Sequence, residues 1–179
     1  MRTFWTSHRS PVTQFVVLLR GINVGGHNKL PMKDLCEILE ALGYESVQTY
    51  IQSGNVVVSA AAQPDAAAIS AAIEKRCGFT PGVLVIAAKQ FRTIADANPY
   101  EDEVVEARHL HISFLSRPAT PDMEALNARK SATEKFTLTD HAFYLLAPDG
   151  IGRSKLAADV ERLLGVEATG RNLNTVRKL

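Results

Sequence analysis

Residues 46–60 read SVQTYIQSGNVVVSA, and the dipeptide Ser53-Gly54 inside that stretch constrains the fold more than any other feature of the chain. Two β-rich runs, SVQTYIQ and NVVVSA, joined by so short a turn pair as an antiparallel hairpin. That counts against a purely parallel, doubly wound sheet. Upstream, QFVVLLR (14–20) is an apolar run of strand length, and PMKDLCEILEALG (31–43) has helical spacing with Gly43 as its stop. Downstream, DAAAISAAIEKRC (65–77) is an alanine-rich helix with Ile69, Ile73 and Cys77 on one side, and a Pro81-Gly82 break leads into the strand GVLVIAA. The order βαββαβ fits a ferredoxin-like sandwich, an antiparallel sheet with two helices on one face.

The second half repeats this plan. HLHISFLS reads as a strand, PDMEALNARK as a helix, KFTLTD and AFYLLAP as strands joined near Asp140-His141, and SKLAADVERLLG as a helix. The stretch VVVSAAAQPDAAAISAAIEKRCGF aligns with FYLLAPDGIGRSKLAADVERLLGV, each a strand, a Pro-Asp turn, an amphipathic helix and a Gly stop. After that helix the halves diverge, because VEATGRNLNTVRKL offers at most a short strand before a final helix begun near Asn172. The expected fold class is therefore α/β (α+β), with two ferredoxin-like halves, the second incomplete and ending in an extra C-terminal helix. The expected organisation is an N-terminal extension over 1–13, a first half over 14–92, an acidic connector over 93–107 and a second half over 108–179. Asp96, Glu101, Asp102, Glu103 and Glu106 place five anions in residues 93–107 with no cation among them, the pattern of a solvated connector.

With 20 cations against 19 anions the formal charge is +1, so no wholesale polyanion-binding surface is implied, and any phosphate contact must come from a local patch. Two cysteines, Cys36 and Cys77, are too few for a disulfide framework and sit in helical stretches as small hydrophobes. The N-terminus lacks the apolar core of a signal peptide, and no segment is long and apolar enough to span a bilayer. A cytoplasmic setting with no membrane contact is the expectation.

Residues 19–30, LRGINVGGHNKL, look at first like a phosphate loop. Gly21 and Gly26 have Walker spacing, but His27 and Asn28 stand where the lysine and the magnesium-binding hydroxyl belong, and Pro31 starts its helix several residues too late. The dinucleotide spacing Gly-x-Gly-x-x-Gly is also missing. Two readings remain open. In one, Arg20, His27 and Lys29 with the amides of Gly21, Gly25 and Gly26 favour an anion beside a helix N-terminus. In the other, the glycines supply φ > 0 in a complicated turn while Asn23 and Asn28 satisfy local backbone groups.

A second loop, PDGIGRSKL, places Arg153, Ser154 and Lys155 at a helix start with Ser154 able to cap it, and Arg171, Asn172 and Asn174 follow in TGRNLNTVRK. From 150 to 179 six cations face three anions, a local excess of +3. The repeat supplies a control: the counterpart of the opening loop is the glycine-free SRPATPDME, and the counterpart of the basic loop is AAQPDAAA. Connection turns do not require that asymmetry, which favours an anion shared between the two Gly-rich loops.

The runs LLRGINVGGHNKLPMKDL, TYIQSGNVVV, GIGRSKL and TGRNLNTVRKL together resemble the bacterial family called domain of unknown function 1697. The resemblance runs from about residue 14 to the C-terminus and implies a two-part α/β fold with ferredoxin-like halves, but no activity. Two positions depart from the family pattern. His27 stands where a lysine is usual, and Leu173 where a tryptophan is usual, which removes a base-stacking ring from that position.

Other constellations are weaker. His109 and His111 share one face of a strand with no third metal ligand in sight, so no metal is expected. Ser53 and Asn55 are first turn residues and second a polar wall for the same pocket. No Gly-x-Ser-x-Gly elbow supports a hydrolase, and the strands FVVLLR and SFLSR lack the aromatic-basic signature of a sheet that stacks RNA bases. The leading expectation is a protein that binds a phosphorylated or anionic small molecule, or a nucleic-acid phosphate, between its Gly-rich basic loops, with His27 the best acid or base by residue type. Neither a cofactor nor a catalytic set can be named from the residues. The rival is a non-catalytic structural or protein-interaction module whose Gly-rich loops are packing turns.

Overall fold

The computed structural model describes residues 12–104 and 106–179. Of the expected N-terminal extension only Val12 and Thr13 fall within that range. The chain forms two compact units, residues 1–88 and 89–179, each described by itself.

The first unit runs β1 (Thr13–Arg20), α1 (Met32–Ala41), β2 (Glu45–Tyr50), β3 (Asn55–Ala60), α2 (Ala66–Cys77) and β4 (Gly82–Ala87). Its four strands lie in the order β2-β3-β1-β4, and every pairing is antiparallel. This is the ferredoxin-like arrangement. The alternation of β1 places Phe15, Val17 and Leu19 in a core with Leu35, Leu39, Val56, Val58, Ile69 and Ile73, so the odd positions of one strand meet both helices. Each fully buried leucine or isoleucine there contributes about 2 kcal/mol from apolar burial alone.

Helix α2 starts where Asp65 accepts the amides of Ala67 and Ala68 and stops at Gly78, whose φ of 78° is the left-handed cap its lack of a Cβ permits. Helix α1 has no side-chain cap. Pro31 occupies its N-cap rather than its first helical position, with extended φ/ψ of −59° and 138°.

The second unit opens with α3 (Ala88–Asp96), which begins on the last residue of the first, and continues β5 (Leu110–Leu115), α4 (Met123–Arg129), β6 (Lys135–Leu138), β7 (Ala142–Leu146), α5 (Lys155–Leu164), β8 (Ala168–Asn172) and α6 (Leu173–Val176). The order β6-β7-β5-β8 repeats the first sheet strand for strand, again antiparallel throughout. The short strand that the sequence offered after α5 is β8, paired with β5 from Leu115↔Ala168 to His111↔Asn172, so this repeat has its full complement of four strands. Asn172 caps α6 by accepting the amide of Thr175.

One face of this sheet packs Leu115, Phe143, Leu145 and Ala168 against Leu126 of α4 and Leu156 and Leu164 of α5. The other face receives α3. Phe91 stacks on Phe114 at 4.8 Å, and the hydroxyl of Tyr144 donates to the carbonyl of Ile94 at 2.7 Å. The stretch expected to be a solvated acidic connector thus begins inside a helix. Phe91 and Ile94 of α3 are buried, and Glu101–Glu103 forms a single 3-10 turn. There Glu101 pairs with Arg177 and accepts from Asn98, and Glu103 pairs with Lys135. Among the described residues no helix is long and apolar enough to cross a membrane.

Candidate functional site

The connection from β1 to α1, residues 21–31, is built around three side chains. Ile22 and Leu30 are buried and plug both ends of the loop into the core. Between them Asn23 works as a clasp: its Oδ1 accepts the amide of Leu30 at 2.8 Å, and its Nδ2 donates to the carbonyls of Leu30 at 3.0 Å and Gln52 at 2.8 Å. Both amide hydrogens of Asn23 are therefore committed. Asn28 donates from Nδ2 to the carbonyl of Gly21 at 2.8 Å, and the amide of Asn23 reaches the carbonyl of Asn28 at 3.0 Å. These two asparagines supply what the loop's own backbone leaves unsatisfied, and both sit at positive φ, 53° and 51°, which asparagine tolerates better than most residues.

The tip is a tight reversal. The amide of His27 bonds the carbonyl of Val24 at 3.0 Å, and Gly25 and Gly26 between them have φ of 58° and 80°, the doubly left-handed pattern of a type I′ turn. Among the described residues their amides meet no acceptor, and Val24, Gly25, Gly26, His27, Asn28 and Lys29 are all exposed. Arg20 precedes the loop at the end of β1, its guanidinium lying across Gly82 on β4, where an added Cβ would come within 2.9 Å of Nε.

The β2–β3 turn buttresses this loop. Gly54 has φ of 73°, and a Cβ there would stand 2.6 Å from Cβ of Leu19 and 2.9 Å from Cδ1 of Ile22. The amide of Leu19 donates to the carbonyl of Gly54 at 2.8 Å. Only glycine fits, for backbone and packing reasons together. Asn55, fully buried, donates to the carbonyl of Tyr50 and to Oγ of Ser53. Ser53 and Asn55 are thus engaged in holding the turn.

In the second unit, Gly150 (φ 89°) leads into a 3-10 turn over Ile151–Arg153, and Ser154 caps α5 by accepting the amide of Ala157 at 2.9 Å. Arg153 and Lys155 are exposed beside that cap. Arg171 on β8 differs from the other cations. Burial strips water from its guanidinium and pulls its pKa down to about 10, so it is still protonated at neutral pH, and it donates to the carbonyl of Gly170 at 2.9 Å. Asn174 is exposed on α6 next to the capping Asn172.

Two cavities lie elsewhere in the second unit. One of about 510 Å³ lies between α3 and α6 and is lined by Phe91, Arg92, Asp96, Leu173 and Arg177 among others. The other, of about 270 Å³, opens over the α5 side of the sheet. Neither is lined by a residue that sequence reasoning put forward as ligand-binding. His111 on β5 lines the second cavity, whereas His109, expected to share its strand face, instead closes the 3-10 turn Ala107–His109 before that strand begins, so the two do not form a pair on one strand face. Among the described residues no group of three or more His, Cys, Asp or Glu side chains could hold a metal ion, and both cysteines are free thiols.

Comparison with known proteins agrees with this architecture. Residues 12–144 match the family model described as Protein of unknown function (DUF1697), and the chain belongs to that family. The conserved bacterial protein SP0830 from Streptococcus pneumoniae has a similar solved structure, with a TM-score of 0.65 and 21% identity over 94% of this chain and 97% of that one; the likeness is one of fold. An unknown protein from Galdieria sulphuraria aligns over 90% of this chain and 99% of its own at 15% identity with a TM-score of 0.27. No curated protein matches the sequence.

Proposed function

We propose that this member of the DUF1697 family binds a phosphorylated or otherwise anionic small molecule, or a nucleic-acid phosphate, through its Gly-rich basic loops, and that it does so in the cytoplasm. The observation that carries this reading is the tip of the 21–31 loop. Two consecutive glycine amides there lack an acceptor among the described residues and stand exposed with His27 and Lys29 beside them, on a frame held in place by Asn23. Successive turn amides of this kind make a concave anion seat, and a rigid frame spares the ligand the cost of ordering it. The loop before α5 offers a second cationic surface, where Arg153 and Lys155 lie at the positive end of a capped helix of 10 residues.

A second reading has its own support. Val24 and Ile51 are 68% and 51% exposed, and the Asn23 to Gln52 bond ties their two segments together. Exposed apolar side chains on a stiff loop suit a protein-interaction module, with the glycines serving the turn alone.

A thermal-shift screen separates the two. Inorganic phosphate, nucleotides, sugar phosphates, coenzyme A and short oligonucleotides are titrated against wild type, Lys29→Ala, Lys155→Ala and the double variant. A ligand at 100 times its Kd stabilises by about 2.7 kcal/mol, and the anion reading expects that shift in wild type and its loss when the lysines go. Equal shifts in all four proteins, or none, overturn it in favour of the interaction module. A double-mutant cycle on the same data reads whether one ligand engages both lysines.

A further inference from the structure

The larger cavity of the second unit, about 510 Å³ between α3 and α6, has the size of a small-molecule site. Its lining changes with depth. Phe91, Leu173 and Val176 are buried at its base, Ala95 and Leu179 are half-buried above them, and every charged side chain that lines it is exposed. An apolar group that enters meets hydrocarbon, while a polar one stays near solvent.

The charges at the rim are of two kinds. Arg177, just past α6, is paired with Glu101 of the 3-10 turn, and Asn98 donates to the other oxygen of that carboxylate. This pair is engaged within the protein. Arg92 and Asp96 of α3 are not: both line the cavity, and among the described residues neither side chain has an ion pair or a hydrogen bond.

Four residues apart on one helix, the two share a face with Cβ atoms about 5–6 Å apart. They do not bond each other, and a cation N-terminal to an anion is the less favourable order for such a pair, because each then faces the wrong end of the helix dipole. One unengaged charge of each sign, side by side over an apolar base, complements a molecule that carries both signs itself. The four charged side chains of the rim also sum to zero, so a ligand with net charge gains no general attraction there.

We propose that this cavity binds a free α-amino acid with an apolar side chain. Arg92 takes the carboxylate, for which a guanidinium offers two parallel N–H donors, Asp96 takes the ammonium group, and the side chain lies over Phe91, Leu173 and Val176. Apolar contact supplies most of the affinity, and the two charges select the head group. The site consists of second-unit residues outside the Gly-rich loops, and its test does not depend on theirs.

The experiment is an NMR titration of the 15N-labelled full chain with L-phenylalanine, phenethylamine, 3-phenylpropanoate and glycine. The second lacks the carboxylate, the third the ammonium group and the fourth the apolar body. L-phenylalanine is expected to saturate, to shift the amides of Ala95 and Leu173, and to bind about fivefold more tightly than either singly charged analogue, the upper end of what an exposed ion pair contributes. Glycine should not saturate. Arg92→Met should erase the preference over phenethylamine alone and Asp96→Asn the preference over 3-phenylpropanoate alone, and both variants should fold because the side chains they replace are exposed. Ala95→Phe fills the cavity from its wall and should abolish binding of every probe. Equal affinity for the three aromatic probes, preferences that survive the substitutions, undiminished binding to Ala95→Phe, shifts confined to other parts of the chain, or no saturable binding would each overturn the proposal.

Discussion

The step from first strand to first helix is made twice in this chain, and the two versions have little in common. After β1 it takes residues 21–31, with Gly21, Asn23, Gly25, Gly26 and Asn28 all at positive φ. After β5 it takes residues 116–122, where Pro118 and Pro121 limit the backbone, the amide of Ser116 donates to the carbonyl of Glu167, and Asp122 caps α4 by accepting the amides of Glu124 and Ala125. Both connections deliver the same topology. The second shows that the fold needs no left-handed residues there, so the strain of the first, about 1 kcal/mol for each non-glycine residue held at positive φ, serves the exposed tip that it shapes. That contrast is the strongest argument that the tip has work of its own.

The largest effect expected from breaking the contrast is at Gly54, which buttresses the unusual loop. Gly54→Ala forces a Cβ to within 2.6 Å of Leu19 at φ of 73°, and strain plus overpacking should cost about 3 kcal/mol. Asp140→Ala, in the β6–β7 turn that holds the equivalent place, should change stability by less than about 0.5 kcal/mol. Urea denaturation of the two variants checks both. Similar costs at the two turns would mean that Gly54 is not held by packing at all.

Next in size is Asn23→Ala. It removes three hydrogen bonds and leaves the amide of buried Leu30 without its acceptor, a loss of about 2 kcal/mol. Thr120→Ala, midway along the plain connection, should cost almost nothing. Hydrogen exchange sharpens the comparison, because without Asn23 the Leu30 amide should exchange by local opening rather than with the whole unit. Undiminished protection would show that the loop is held by its apolar ends alone.

The repeat was legible because its signals are local. A hairpin dipeptide, two amphipathic helices with Gly stops and the capping residue Ser154 each announce themselves within a few residues, and the register between halves follows from them. Helix α3 was overlooked because its last residue, Asp96, was read together with the anions that follow it as one solvated run, although Phe91 and Ile94 at i, i+3 spacing carry the buried face. The roles of Asn23 and Gly54 were only partly visible. That asparagines would serve the backbone could be read from residue type, but the partners Leu30 and Gln52, and the Leu19 and Ile22 contacts that exclude a Cβ at 54, depend on tertiary approach across 7 to 35 residues of sequence. The cavity beside His111 was out of reach for the same reason, since its walls come from β5, β7, α5 and β8.

Smaller effects are expected at the paired helix caps. Asp65 accepts two amides at the start of α2, whereas Ser154 accepts one at the start of α5. Asp65→Ala should cost about 1.5 kcal/mol and Ser154→Ala about 1. The order of the two, read by thermal denaturation, is what matters. A greater loss at Ser154 would mean that its hydroxyl also steadies the 3-10 turn carrying Arg153, and the basic loop would then join the opening loop as a segment whose shape is actively maintained.

Where the halves do converge, the expected effect is smallest. Each unit ties its two sandwich helices with an arginine: Arg76 of α2 bonds Asp34 and Glu37 of α1, and Arg129 of α4 bonds Asp159 of α5, which Arg162 also approaches. All these groups are at the surface, where solvent and salt screen ion pairs. Arg76→Ala and Arg129→Ala should therefore lower the melting temperature slightly, by similar amounts, and the loss should vanish in 1 M salt as a Debye length of roughly 3 Å takes hold. The acid limb distinguishes them. Arg129, and then Arg162, hold the Asp159 carboxyl below its ordinary range, so the unfolded chain binds the proton more readily than the folded one. Its contribution is complete above the ordinary carboxylate value and drains away as pH falls through the depressed folded one. Asp159→Asn should flatten that limb of the stability curve in wild type but leave the Arg129→Ala variant nearly unchanged. If it flattens both equally, the carboxylate draws its stabilisation from Arg162 on its own helix, and the resemblance between the two arginine ties ends at their position.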